Sequence, residues 1–205
     1  MKLIKNILTL AILIHLFGAN IVANTLTLAP EPTKKQKQTN WHLYLTAQQA
    51  YTMKTNNPKH VLFLDVRDPS ELLFTGNTNI IDFNIPFKIL NPNEWADGKK
   101  RFSFKINQNF EQNIQKALKL KNMSKQDHII IMCRSGGTRG APATKLLENK
   151  GYKNVWVVVD GFEGSKTKQG KYKGFRLQNG WKNGKNLPWG YKSMDKTKMY
   201  FYNFK

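Results

Sequence analysis

Three short apolar runs, at residues 61–64, 129–132 and 155–159, show no alternation between apolar and polar side chains. A strand with one face in water alternates. Runs without alternation are therefore strands buried on both faces, the pattern of a parallel sheet covered by helices on either side. Helix signals fall between the runs. Asp68-Pro69-Ser70-Glu71 offers a capping aspartate, a proline at the first helical position and a glutamate at the third. Phe110, Ile114, Ala117, Leu118 and Lys121 keep helical spacing and present one apolar face. Further helices are expected over 46–54 and 141–150, the second closed by Gly151 in the left-handed conformation. Strands alternating with helices predict a single α/β domain, an open parallel sheet flanked by helices with right-handed crossovers.

The chain of 205 residues is long enough for one such domain and short appendages. Residues 1–23 carry Lys2 and Lys5, an apolar run over 7–17 and small residues from Gly18 to Ala23. This is the layout of a secretory signal cleaved near Ala23, and it predicts an exported, periplasmic protein. The run is shorter than the roughly 20 residues a spanning helix needs. Residues 24–40 hold proline and lysine without apolar periodicity and read as a flexible leader. The domain is expected over 41–164. Residues 165–205, rich in lysine, glycine and aromatics, read as an extension packed back on it, with Trp181 and Trp189 as anchors.

Lysine and arginine number 33 against 13 aspartates and glutamates, a formal charge of +20, which points to an anionic partner or a strongly solvated surface. The lysines are scattered instead of forming one basic stripe, so nucleic acid is not expected; a small anion or an anionic membrane surface stays open. His42, His60 and His128 share no metal-ligand spacing and the single cysteine cannot complete a zinc set, so no metal is expected.

Cys133 is the only cysteine, which excludes an intramolecular disulfide. A buried run ends at it, Arg134-Ser135-Gly136-Gly137-Thr138-Arg139 follows, and a helix begins just beyond. Ligands of open α/β sheets gather beyond the carboxyl ends of the strands. Gly136 and Gly137 let successive N–H groups turn inward, and the next helix aims its positive end at the same point, so an anion cradle forms around a nucleophilic sulfur.

The stretch from Cys133 to Arg139 resembles the active-site loop of rhodanese-family sulfurtransferases. Leu64-Asp65-Val66-Arg67-Asp68 with Glu71, Asn84-Ile85-Pro86-Phe87, Gly151-Tyr152-Lys153-Asn154-Val155 and Asp160-Gly161-Phe162 resemble further motifs of that family, in order. The resemblance implies a rhodanese-like fold and a double displacement without cofactor. Cys133 would take sulfane sulfur from a small sulfur-containing anion such as thiosulfate, hold it as a persulfide and pass it to a thiol or cyanide. It also implies that the loop N–H groups with Arg134 or Arg139 bind the donor, and that Asp65 and Arg67 brace the loop from beneath.

One departure favours a rival. The loop is one residue longer than is common in the family, so Arg139 stands six positions after Cys133. Cysteine, five residues and arginine is also the signature of cysteine phosphatases, including phosphatases and arsenate reductases on the rhodanese fold. That chemistry needs an acid for the leaving oxygen, for which Asp160 and Glu163 are the nearby candidates. A module that only binds a partner or senses oxidants through Cys133 is the non-enzymatic alternative.

Overall fold

Residues 28–204 are described by the structure, a computed structural model. The expected signal at 1–23 lies outside the described residues. Among those described, no helix is long and apolar enough to cross a membrane.

The central sheet has five strands: β1 (Tyr44–Leu45), β2 (Val61–Asp65), β3 (Phe83–Asn84), β6 (His128–Met132) and β7 (Asn154–Val158). Their order is β1-β7-β6-β2-β3 and every pairing is parallel. The three apolar runs are its three inner strands. Successive side chains of a strand point to opposite faces, so each run feeds two cores. Leu62, Leu64, Ile129, Ile131 and Val155 face helices α3 (Phe110–Leu120) and α4 (Gly140–Glu148), whose Ile114, Ala117, Ala143 and Leu147 complete one core. Val61, Phe63, Ile130, Met132, Trp156 and Val158 face helices α1 (Ala47–Asn56) and α2 (Pro69–Thr75) and the C-terminal segment.

The caps form as their sequence requires. Asp68 accepts the Ser70 N–H at 2.9 Å while Glu71 accepts the Asp68 N–H at 3.0 Å, and Thr46 with Gln49 makes the same reciprocal pair at the start of α1. Gly151 has φ +84°, as its place after α4 demands.

Three features depart from the periodicity. Strands β4 (Lys88–Ala96) and β5 (Arg101–Ile106) form an antiparallel ribbon. Most of its side chains face water, so no alternation marks it, and Pro92 falls where the register shifts. Trp95 and Phe102 pair edge to face on it, both exposed. A second short ribbon, β8 (Ser165–Lys166) with β9 (Arg176–Gln178), precedes a terminal turn of helix, α5 (Tyr200–Asn203).

The segment expected to be a flexible leader is packed where it is described. The Ala29 N–H donates to the Tyr44 carbonyl at 3.1 Å, the Thr39 N–H to the Tyr44 hydroxyl at 2.8 Å, and the Asn40 and Trp41 N–H groups to the Glu148 carboxylate. These are backbone donors meeting partners that lie up to 108 residues away, so composition does not signal them.

His128 carries a pH dependence. The Trp156 indole N–H donates to its Nδ1 at 3.1 Å, a bond that needs the neutral ring, and burial holds its pKa below the ordinary 6.5. Below pH 6.5 the unfolded chain binds this proton more readily than the folded one. Stability is then lost as pH falls from about 6.5 toward the lowered value. Urea midpoints between pH 7.5 and 5.5 should drop more for wild type than for His128→Asn; equal slopes would show that the ring titrates freely in the fold.

Candidate active site

Cys133 follows the last residue of β6, at the carboxyl end of the sheet's middle strand. The loop is stitched to the chain after β7: the Phe162 N–H donates to the Cys133 carbonyl at 2.8 Å and the Glu163 N–H to the Arg134 carbonyl at 2.9 Å. Such close approach demands glycine twice. Gly136 has φ +68°, and a Cβ there would sit 2.1 Å from the Val159 carbonyl oxygen; Gly161 has φ +62°, and a Cβ there would sit 2.5 Å from the Cys133 oxygen.

The sulfur rests at the start of α4. A Cβ on Gly140, the first residue of that helix, would lie 3.4 Å from Sγ. The helix thus points its positive end at the sulfur. Among the described residues, the backbone N–H groups of Arg134, Ser135, Gly136 and Gly137 donate to no protein acceptor. Unpartnered donors on a loop that opens into a cleft are the material of an anion nest. Cys133 itself is 2% exposed, at the floor of a cleft of about 630 Å³.

Arg139 lines the cleft but is held by a carboxylate of α2. Its guanidinium is buried and takes both oxygens of Glu71, one through Nη1 and the other through Nη2 at 2.8 Å. Burial opposes the charge on Arg139, but the hydrogen bonds and charge of Glu71, then the charge of Cys133, more than offset it and hold the pKa above its ordinary value. Burial likewise pushes Glu71 up, and Arg139 outweighs it, so the carboxyl is held below its ordinary range. Arg134 is similarly engaged, with Nε 2.9 Å from one oxygen of Glu163 and Nη2 3.2 Å from the other. Both loop arginines, expected from the sequence to face an anionic donor, are paired with carboxylates from other elements. Ser135 offers its carbonyl, Gly137 is buried and Thr138 faces solvent, each along the cleft wall.

Lys37, from the segment before β1, lies over the loop. Its Nζ donates to the Ser135 carbonyl at 2.8 Å and approaches the Val159 carbonyl at 3.4 Å. Burial pulls its pKa below the ordinary lysine value, and the charge of Cys133 acts in the opposite direction. Nothing in the sequence around Lys37 marks it, because its place depends on the fold of a segment without periodicity. Glu71 was legible only as a helix cap. The same carboxylate holds the Asp68 N–H and Arg139, so one residue serves both positions.

Asp65 and Arg67 form a closed, fully buried pair, with Nη2 2.7 Å and Nε 3.0 Å from the carboxylate. Among the described residues they make no hydrogen bond or ion pair with a side chain of the loop, although the charge of Asp65 acts on Arg139. Arg67 also donates to the Thr75 hydroxyl at 2.8 Å and the Gly76 carbonyl at 3.1 Å, and it stacks on the Phe162 ring at 3.9 Å. Any bracing is therefore indirect: the pair fixes the end of α2, which carries Glu71, and Phe162, whose N–H holds the Cys133 carbonyl. Asp160, one of the two candidate acids, accepts the Gly180 N–H at 3.0 Å, and burial raises its pKa despite that bond. It does not line the cleft; Glu163 does, already paired with Arg134.

A strand, a nucleophile-bearing glycine loop and a helix at the carboxyl edge of a five-stranded parallel sheet define the class to which this chain belongs. The family model of the rhodanese-like domain matches residues 46–168, so the protein is a member of the rhodanese-like family. Among curated proteins it is similar to the uncharacterized protein RP600 of Rickettsia prowazekii, 37% identical over 87 residues that make up 42% of this chain and 58% of that one. Protein RC0915 of Rickettsia conorii matches the same shares at 36% identity. The chain thus spans less than two thirds of the length of these relatives. Among solved structures, Rv0390 from M. tuberculosis has a similar fold, with a TM-score of 0.52 and 24% identity over 72% of this chain and 96% of that one.

Proposed function

We propose that the protein is a sulfurtransferase that carries sulfane sulfur on Cys133. The observation behind this reading is the loop itself: a sulfur on the cleft floor, at a helix N-terminus, beside four N–H groups without protein acceptors among the described residues. Such a loop suits a persulfide, whose outer sulfur is anionic and needs donors that do not react. The Cys133 thiolate attacks the outer sulfur of thiosulfate, forming a new S–S bond while the S–S bond of thiosulfate breaks and sulfite leaves with the electron pair. An acceptor thiolate or cyanide then takes the outer sulfur, and the electrons return to Cys133 as thiolate. Covalent catalysis of this kind replaces one difficult transfer by two easier ones.

The buried fork between Arg139 and Glu71 weighs against phosphatase or arsenate chemistry. There the guanidinium offers two parallel N–H groups and an unneutralised charge to the oxyanion, and here the Nη1–Nη2 fork and the charge are already engaged by Glu71. Export to the periplasm, resting on the composition of residues 1–23, belongs to the same proposal.

The test is the intact mass of the purified protein before and after thiosulfate. A gain of about 32 Da, one sulfur, that cyanide removes and that Cys133→Ser lacks is expected of an activated thiolate. No gain, together with protection of Cys133 from alkylation by phosphate or arsenate, would replace this reading with the oxyanion one.

A further inference from the structure

Among the described residues, the cleft above Cys133 is lined by eight lysines and arginines and two carboxylates. Those carboxylates, Glu71 and Glu163, are paired with Arg139 and Arg134. The other six cations, Lys34, Lys37, Lys88, Lys99, Arg101 and Arg176, make no ion pair among the described residues. None belongs to the Cys133 loop. Lys34 and Lys37 come from the segment before β1, Lys88 from β4, Lys99 and Arg101 from the end of the ribbon, and Arg176 from β9. Three separate additions to the sheet have thus converged on one cleft with the same charge.

A small divalent donor needs neither that number of cations nor that space. Clefts of about 300–1,000 Å³ hold molecules of tens of atoms, and this one measures about 630 Å³. Unpaired cations on low-dielectric walls focus a positive potential and raise the local concentration of anions about 10- to 1,000-fold. Lys34, Lys99 and Arg101 are exposed and Lys37, Lys88 and Arg176 half-buried, whereas Cys133 is on the floor. The charge therefore extends outward from the sulfur.

We propose that the sulfur acceptor is a small thiol bearing several negative charges, such as phosphates, set apart from its sulfur. The thiol reaches down to Cys133 while its anionic end meets Lys34, Lys99 and Arg101. This rests on the sulfurtransferase reading of the site. In the transfer, the acceptor thiolate attacks the outer sulfur of the persulfide, one S–S bond forms as the bond to Cys133 breaks, and the released electron pair regenerates the Cys133 thiolate. No outside oxidant or reductant enters.

Coenzyme A and pantetheine have the same thiol arm and differ in the phosphate-bearing end, so they serve as probes. Calorimetry of the full chain with S-methyl coenzyme A and S-methylpantetheine measures recognition without any sulfur chemistry. At low salt the phosphorylated probe is expected to bind at least about tenfold tighter, and the difference to shrink as salt screens the charges. The variant Lys34→Gln/Lys99→Gln/Arg101→Gln should lower the ratio severalfold while retaining the wild-type urea midpoint. Stopped-flow consumption of the Cys133 persulfide by the two free thiols should show the same preference. Equal binding of the two probes, or a preference that neither salt nor the triple variant alters, overturns the proposal. Failure to load the persulfide would overturn the sulfurtransferase reading, and the calorimetry would still decide the polyanion site.

Discussion

Arg67→Leu is expected to lower the free energy of unfolding by about 3–5 kcal/mol, read from urea unfolding of the full chain. The reason is the company Arg67 leaves behind. Asp65 and Arg67 are both fully buried, and among the described residues Arg67 is the ion-pair partner of the Asp65 carboxylate. Leucine strands that carboxylate and also leaves the Thr75 hydroxyl and Gly76 carbonyl without their guanidinium donor. A buried ion pair adds little net stability compared with apolar residues, yet removing one partner is costly because the other charge stays in a medium of low dielectric. The double variant Asp65→Leu/Arg67→Leu should therefore cost less than the single one. A single-variant loss under about 1 kcal/mol would mean that water reaches the pair. Since Arg67 fixes α2 and Phe162, sulfur loading should fall in Arg67→Leu even where the protein remains folded.

Trp181→Ala should be comparably severe, about 3–5 kcal/mol, the usual cost of removing a buried tryptophan. Trp181 lies beyond residues 46–168, the extent of the family domain, yet it is fully buried. Its ring packs 5.3 Å from that of Phe63 in β2 and 6.0 Å from that of Tyr51 in α1, and its indole N–H donates to the Pro188 carbonyl at 2.9 Å. Alanine leaves a cavity against the sheet that the neighbouring backbone cannot close, because the Trp181 and Lys182 N–H groups are held by the Gly161 and Phe162 carbonyls. In a chain of this size that loss lowers the melting temperature by about 6–20 °C. A shift of only a degree or two would make the C-terminal segment an accessory wrapped on a domain that is stable without it.

Both residues bear on how much could be read from the chain itself. The Asp-Val-Arg motif marked Asp65 and Arg67, which form a pair in the core. Its partners could not be foreseen, because Gly76 and Phe162 meet Arg67 only after β2, α2 and the turn after β7 have packed. Trp181 was legible as an anchor from its isolation among glycines and lysines, although not which sheet face it would fill. The ribbon of β4 and β5 was missed because a strand pair with little burial carries no hydrophobic rhythm. Lys37 was missed for a related reason, since a half-buried lysine in a proline- and lysine-containing segment looks like any solvated charge.

Local and repeated information was sufficient for the sheet and the cysteine loop. Unbroken apolar runs of four or five residues set between helix signals read as strands buried on both faces, and glycines after a strand-ending cysteine permit a tight turn into a helix. Charge pairing lay beyond the sequence. Glu71 and Arg139, Glu163 and Arg134, Lys37 and the Ser135 carbonyl are joined across 68, 29 and 98 residues, and Coulomb energy depends on distance in space, not along the chain. The sequence alone determined where the sulfur would stand; tertiary packing decided that the loop arginines are neutralised and that the free positive charge of the cleft comes from segments far from it.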